Sequence, residues 1–212
     1  MKKIIDGMAK LEAELKKNDK ISQVSVNYFD SPANLEQLDE LEKSGKIEKT
    51  VLDFYRASDG FEISWAAVDE NLVKNEILGR VKINPFQQVV KKWSGVVYFD
   101  GEPENSARRK FFPTDFFVDE AAAGFCSLEG YRDFMYLYKF EGDIIPLFVK
   151  FADYLQLMLL AKGCLYWQYL VLSIVDKAEN EVSSRIKTYL PQLFPGFSFA
   201  AFEKYFNENS IK

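Results

Sequence analysis

The feature that most constrains this chain is a change of texture at Asp59-Gly60. Before that step apolar residues recur at helical spacing; after it, short strand-like apolar runs take over. Residues 4–17 place Ile4, Met8, Leu11 and Leu15 on one helical stripe, with Glu12, Glu14, Lys16 and Lys17 off it. Residues 21–28 alternate loosely and predict a short strand. Ser31-Pro32 predicts the next helix start. Ser31 would be the N-cap, and Pro32 suits the first helical position, where its missing N–H is not needed. Leu35, Leu38 and Leu41 then share a face, and Gly45 stops the helix. A third helix is predicted over 48–57, with Val51, Leu52 and Tyr55 inward and Phe54 beside them. Gly60 ends it because glycine is free to take the left-handed conformation.

From Phe61 onward FEISWAAV reads as a strand, as do residues 79–83, 95–99, 124–128 and 134–138. Glu129-Gly130 between the last two predicts a hairpin. A central sheet built from residues 61–138 is expected. Near Pro146 the helical period returns. Residues 147–160 and 165–175 read as two helices broken near Gly163. A polar helix near 178–190 and a small closing helix near 198–208, capped by Ser198, follow. Helices flanking a sequential block of strands imply an α+β fold, a single domain whose central, mostly antiparallel sheet carries helices from both chain ends. Residues 1–177 are expected to form the main α+β domain, and 178–212 a C-terminal helical extension packed on it.

Composition narrows the chemistry. The 212 residues contain no histidine, which removes Ser-His-Asp and Cys-His catalytic sets, histidine proton shuttles and every His-containing zinc site. Two cysteines, Cys126 and Cys164, cannot build a four-thiolate site. They are either two buried free thiols or one disulfide, in segments that read as strand and helix, and so few cysteines fit a reducing cytosol. The formal charge of -5 argues against nucleic-acid binding and leaves room for a basic protein partner. The N-terminus does not read as a signal peptide, because Asp6 follows directly on Ile4-Ile5. Residues 154–175 have the length of a membrane span, but Lys162 sits at their centre, at a cost of about 3 kcal/mol on insertion. A cytoplasmic protein off the membrane is expected.

No phosphate-binding glycine loop and no zinc or calcium loop spacing is present. Asp100-Gly101-Glu102-Pro103-Glu104 is acidic and loop-like without the alternating ligand ladder of a calcium site. Arg108-Arg109-Lys110 reads as a solvated run balancing nearby acids. Trp65, Trp93 and Trp167 each sit in an apolar run, which suits packing better than ligand stacking. Nothing composes a catalytic constellation, and no cofactor is expected.

The run SPANLEQLDELEKSGKIEKTVLDFYRASDGFEISW, residues 31–65, resembles the opening of the SUKH superfamily, the family of the yeast cell-wall-assembly regulator and many bacterial immunity proteins. Pro32-Ala33, Leu38, Leu41-Glu42, Phe54-Tyr55 and Asp59-Gly60 occupy the family's motif positions. Gly79 with Val81 and Ile83, then FFPTDFF, then GFCSL continue the pattern. FADYLQLMLLAKGCLYWQ, ending in Trp167-Gln168, is similar to the family's closing helices. The similarity extends over about residues 1–175. Ile47-Glu48 stands where the family usually has Leu-Pro. The resemblance implies a non-enzymatic binding domain, as in immunity proteins that neutralise a cognate toxin, often a nuclease. The competing class is an interaction scaffold or regulator like the yeast relatives. Tyr55, Asp59, Gly60, Trp65 and Trp167 are then expected in structural roles.

A nuclease must attract phosphate, so its cleft is basic, and an inhibitor presenting carboxylates can compete for that surface. Acids in loops beside strands are the expected partner-binding groups: Asp69 and Glu70; Asp100, Glu102 and Glu104; Asp119 and Glu120. The lack of histidine and the wide spacing of the cysteines also predict no metal dependence. Elemental analysis of protein purified without added metal should find no stoichiometric zinc or iron; finding either overturns this expectation.

Overall fold

A computed structural model describes residues 1–29, 34–45, 47–131, 134–139 and 142–211. The strands are β1 (Ile21–Tyr28), β2 (Phe61–Ala67), β3 (Leu78–Ile83), β4 (Phe111–Val118), β5 (Ala121–Cys126), β6 (Tyr136–Lys139) and β7 (Ile144–Pro146). They form one sheet in the order β1-β2-β3-β4-β5-β6-β7. Every neighbour is sequential, so no crossover is needed, and the pairings from β3 to β7 are antiparallel. The helices are α1 (Lys2–Lys17), α2 (Leu35–Ser44), α3 (Lys49–Tyr55), α4 (Glu70–Lys74), α5 (Phe86–Val89), α6 (Phe151–Leu160), α7 (Gln168–Val175), α8 (Glu181–Leu193) and α9 (Phe199–Asn209). The fold is α+β, as expected from the sequence.

The chain divides into two compact units. The first comprises Met1–Asn27, Glu62–Val81 and Ala152–Ser210. Ile4, Met8, Leu11 and Leu15 of α1 are buried here, the stripe that the sequence predicts. Asn180 caps α8 in a reciprocal capping box with Ser183, and Ser198 caps α9 through the Ala201 N–H. Trp65 lies edge-on to Phe194, and its Nε1 donates to the Lys162 carbonyl at 2.9 Å. Gly79 makes room for that indole; a Cβ there would overlap the Trp65 ring. Trp167 packs against Tyr154 and Phe202. Both tryptophans are therefore core residues. After α6 the chain turns at Gly163, and the turn pairs with β3: Arg80 N–H donates to Gly163 O and Leu165 N–H to Leu78 O.

The second unit comprises Tyr28–Phe61, Lys82–Phe151 and Ile211. Asn34 caps α2, its side chain accepting from the Glu36 and Gln37 N–H groups. The expected cap at Ser31-Pro32 lies outside the described residues. Glu48 caps α3, which buries Val51, Leu52, Phe54 and Tyr55. Gly60 stands at φ +103°. A Cβ on it would come 2.9 Å from the Asn84 carbonyl oxygen and closer still to that of Ile83.

Several expectations need correction. Residues 95–99 form turns rather than a strand, with only an isolated bridge between Ser94 and Tyr98. Residues 147–150 lie outside α6, and α7 begins at Gln168. Cys164 sits in the turn before α7, on a bridge to Gly79, not in a helix. The sheet runs beyond residues 61–138 to include β1 and β7. Its β4 strand has no clear mark in the sequence, because Pro113 cannot donate to a ladder and Asp115 is an unusual core residue. The register shifts between Pro113 and Asp115, a bulge that absorbs the proline.

Gly60 yields a direct comparison. Gly45 also has a positive φ, +63°, but a Cβ there meets nothing within 4 Å. Gly45→Ala should cost about 1 kcal/mol of backbone strain. Gly60→Ala should cost at least about twice that, because two carbonyls must move as well. Chemical denaturation measures both; equal losses would refute the steric account.

Candidate protein-binding surface

The motif residues Tyr55, Asp59 and Gly60 lie in a buried polar cluster of the second unit. Asp59 is 8% exposed, and its carboxylate accepts the Phe86 N–H at 2.8 Å. The Tyr55 hydroxyl donates to the Asn84 carbonyl at 2.8 Å. Asn84 N–H donates to Thr114 O, and its amide donates to Pro113 O. Asp115 is fully buried and accepts the Lys82 N–H at 2.9 Å. Burial, with Asp59 and Asp115 nearby, pushes the Tyr55 hydroxyl well above its ordinary range. The phenol stays a neutral donor. These groups serve the backbone of β3, β4 and the 84–86 segment leading into α5, so their role is to hold the frame.

The expected partner-binding acids fall in both units. In the first unit Asp69 is the N-cap of α4, accepting from Asn71 N–H, and Glu70 opens that helix. They sit on a short helix rather than in the loop expected. In the second unit Asp119 and Glu120 form the exposed two-residue turn between β4 and β5. Asp100, Glu102 and Glu104 lie in the loop that precedes β4, whose Arg108 donates to Gly142 O in the β6–β7 connection. Arg108 lies 3.7 Å from Glu102 and Arg109 lies 3.4 Å from Glu104. The basic run thus offsets the acids beside it. A broader excess of acid lies elsewhere in the sequence: residues 28–61 hold eight Asp or Glu against four Lys or Arg. On α2 and α3, Arg56 bridges Asp39 and Glu42, and its hydrogen bond holds Glu42 below the ordinary carboxylate value.

The loop of residues 90–107 supplies what the sequence did not reveal. Trp93 and Val97 are buried, and Trp93 stacks on Phe116. Val96 and Val97 N–H groups both donate to Trp93 O. The Tyr138 hydroxyl donates to Val97 O at 3.0 Å. Arg109 lies over the Tyr98 ring and donates through Nε to Glu102 O at 2.7 Å. Gly95 and Gly101, at φ +80° and +90°, turn the chain on either side. On this anchored frame Phe99 is 60% exposed and Val96 is 37% exposed. Asp100, also exposed, follows Phe99 directly. A continuous apolar run bracketed by two glycines was the available signal, and it reads equally as a strand.

Cys126 and Cys164 are free and buried, and burial pushes the Cys164 thiol up to about 12. Neither is a poised nucleophile. Among the described residues no group of three or more Cys, Asp or Glu side chains is arranged to hold a metal, and no helix is long and apolar enough to cross a membrane.

Asp59 carries a pH signature. Burial raises its pKa above the ordinary 3.8, and the Phe86 N–H bond opposes the shift. A raised folded-state pKa means that ionisation disfavours the fold, so this group's contribution is lost as pH rises from about 4 through the raised value. Asp59→Asn should keep the acceptor and remove that pH dependence. Asp59→Ala should cost about 1–3 kcal/mol by leaving the Phe86 N–H unpaired. The difference between wild type and Asn variant in urea melts across pH 3–7 tests the sign; a difference that grows in favour of the wild type would refute it.

Set against known proteins, the chain matches no family model, no curated protein and no solved structure.

Proposed function

We propose that this chain is a non-enzymatic protein-binding domain that neutralises a cognate toxin domain, one with a nuclease-like basic cleft, in the cytoplasm of a bacterium. The observation that carries the reading is the anchored 90–107 loop with Phe99 exposed at its surface. An aromatic side chain on a backbone already held by hydrogen bonds loses little further freedom on docking. Such residues dominate binding energy when they fill a pocket. The SUKH-like motifs support the class, since their residues serve the frame and leave the surface to partner recognition.

Charge supports the sign of the partner. Asp100 flanks Phe99, and the acidic excess of residues 28–61 belongs to the same unit. Because Arg108 and Arg109 offset Glu102 and Glu104, this reading puts affinity in the apolar contact and association rate in the longer-range acidic field.

The test is protection of a host expressing the toxin domain encoded beside this chain's gene. Phe99→Ala should weaken binding by at least about 30-fold, mainly by faster dissociation. Asp100→Asn should slow association by less than about tenfold and leave dissociation unchanged. Protection by the wild-type chain with full activity in Phe99→Ala moves the interface off this loop. A chain that protects against no neighbouring toxin is not an immunity protein and belongs with the scaffolds.

A further inference from the structure

The first unit holds a cavity of about 630 Å³ lined by α1, α6 and the start of α9. Its chemistry opposes that of the chain as a whole. Lys3, Gly7, Lys10 and Glu14 follow one another at helical spacing along α1, beside the buried Ile4, Met8, Leu11 and Leu15. At Gly7 the two helices come close, for a Cβ there would lie 2.6 Å from Leu159 Cδ1. Lys2, Lys3 and Lys10 line the cavity, with Asp6 among them.

The charges do not cancel. Glu14 is taken up by Lys162, whose Nζ lies 2.7 and 2.9 Å from its two carboxylate oxygens. That lysine is held in a left-handed backbone conformation, φ +59°, with its side chain 18% exposed. This leaves three lysines against Asp6, a surplus of two positive charges in a protein of net charge -5. Lys2, Lys3 and Lys10 make no ion pair among the described residues. Ser198, the N-cap of α9, lines the same cavity and brings the positive end of that helix to it. Leu11, Leu159 and Leu160 form an apolar stretch of the remaining wall, with the polar Gln156 beside them.

We infer that this cavity binds a small phosphomonoester attached to an apolar body. A phosphomonoester carries about -1.5 to -2 at neutral pH, which matches the unpaired surplus. Lysines act on phosphate as point charges and need no bidentate geometry. The leucine wall receives the apolar part, and the volume lies within the range of about 300–1,000 Å³ usual for small-molecule sites. The site uses no residue of the 90–107 loop and stands independently of the proposed toxin binding.

Octyl phosphate, octanol and inorganic phosphate are the probes, titrated into the full chain with amide NMR as readout. Octyl phosphate should bind saturably and shift Gly7, Leu159 and Ala201, and its affinity should fall as salt rises. Inorganic phosphate and octanol should each bind at least about tenfold more weakly, since each lacks one half of the match. The double variant Lys3→Glu/Lys10→Glu, both positions being exposed, should lose at least about tenfold in affinity with an unchanged melting temperature. Glu14→Gln, which frees Lys162, should tighten binding, while Lys74→Glu on α4 should change nothing. Absence of saturation by octyl phosphate, equal binding of octanol or inorganic phosphate, or wild-type affinity in the double variant would each overturn the inference.

Discussion

The second unit depends on the absence of one side chain. Gly60 brings its Cα against the carbonyls of Ile83 and Asn84, closer than any Cβ permits. That approach lets α3 stop and β2 start within a few residues. It also sets the neighbouring hydrogen bonds, in which Asp59 takes the Phe86 N–H and Tyr55 donates to Asn84 O. Each is a buried polar group with a partner, and leaving any one unpaired costs more than forming it gains. The arrangement is therefore specific as well as stable. A shifted register of β3 would orphan several of these groups together.

The polar groups that hold the frame are buried, and at the surface the balance of terms differs. Glu102 and Glu104 face arginines a few residues on, which leaves Asp100 as the exposed acid beside Phe99. Exposed ion pairs of this kind contribute little to stability, but they fix the loop: Arg109 reaches Glu102 O and covers Tyr98 at once. The same side chains that remove charge from the surface hold Phe99 out on it. On the proposed reading, affinity built this way would be less sensitive to salt than affinity built on carboxylates.

Charge is also unevenly distributed in the first unit. A helix that buries one stripe must place its remaining residues beside that stripe or opposite it. In α1 the neighbouring positions are Lys3, Gly7, Lys10 and Glu14. Glycine permits the close approach to α6, and Lys162 neutralises the acid. Local charge then follows from which side chains are already paired, not from net composition.

The apolar stripe of α1, the stop at Gly60, the break near Gly163 and the α+β class were legible in the sequence, because each follows from short-range periodicity or from the conformational freedom of one residue; the α2 stripe buries only Leu38 and leaves Leu35 exposed. Even β1, eight residues long, announces itself by alternation. The central strand β4 was not legible. Pro113 and Asp115 violate strand preference locally and are accommodated only by a bulge and by the Lys82 N–H, both long-range features. For the same reason the run at 95–99 misled: valine, tyrosine and phenylalanine favour a strand, but Trp93 and Tyr138 capture its backbone in turns. The seven acids proposed from the sequence share a residue type, and residue type alone does not assemble a surface. The pairing of Arg108 and Arg109 with nearby acids was legible as a local charge pattern, but how the loop that exposes Phe99 is anchored and which lysines remain unpaired depend on contacts between residues far apart in the chain. Local pattern does not encode those contacts, and only the tertiary structure decides them.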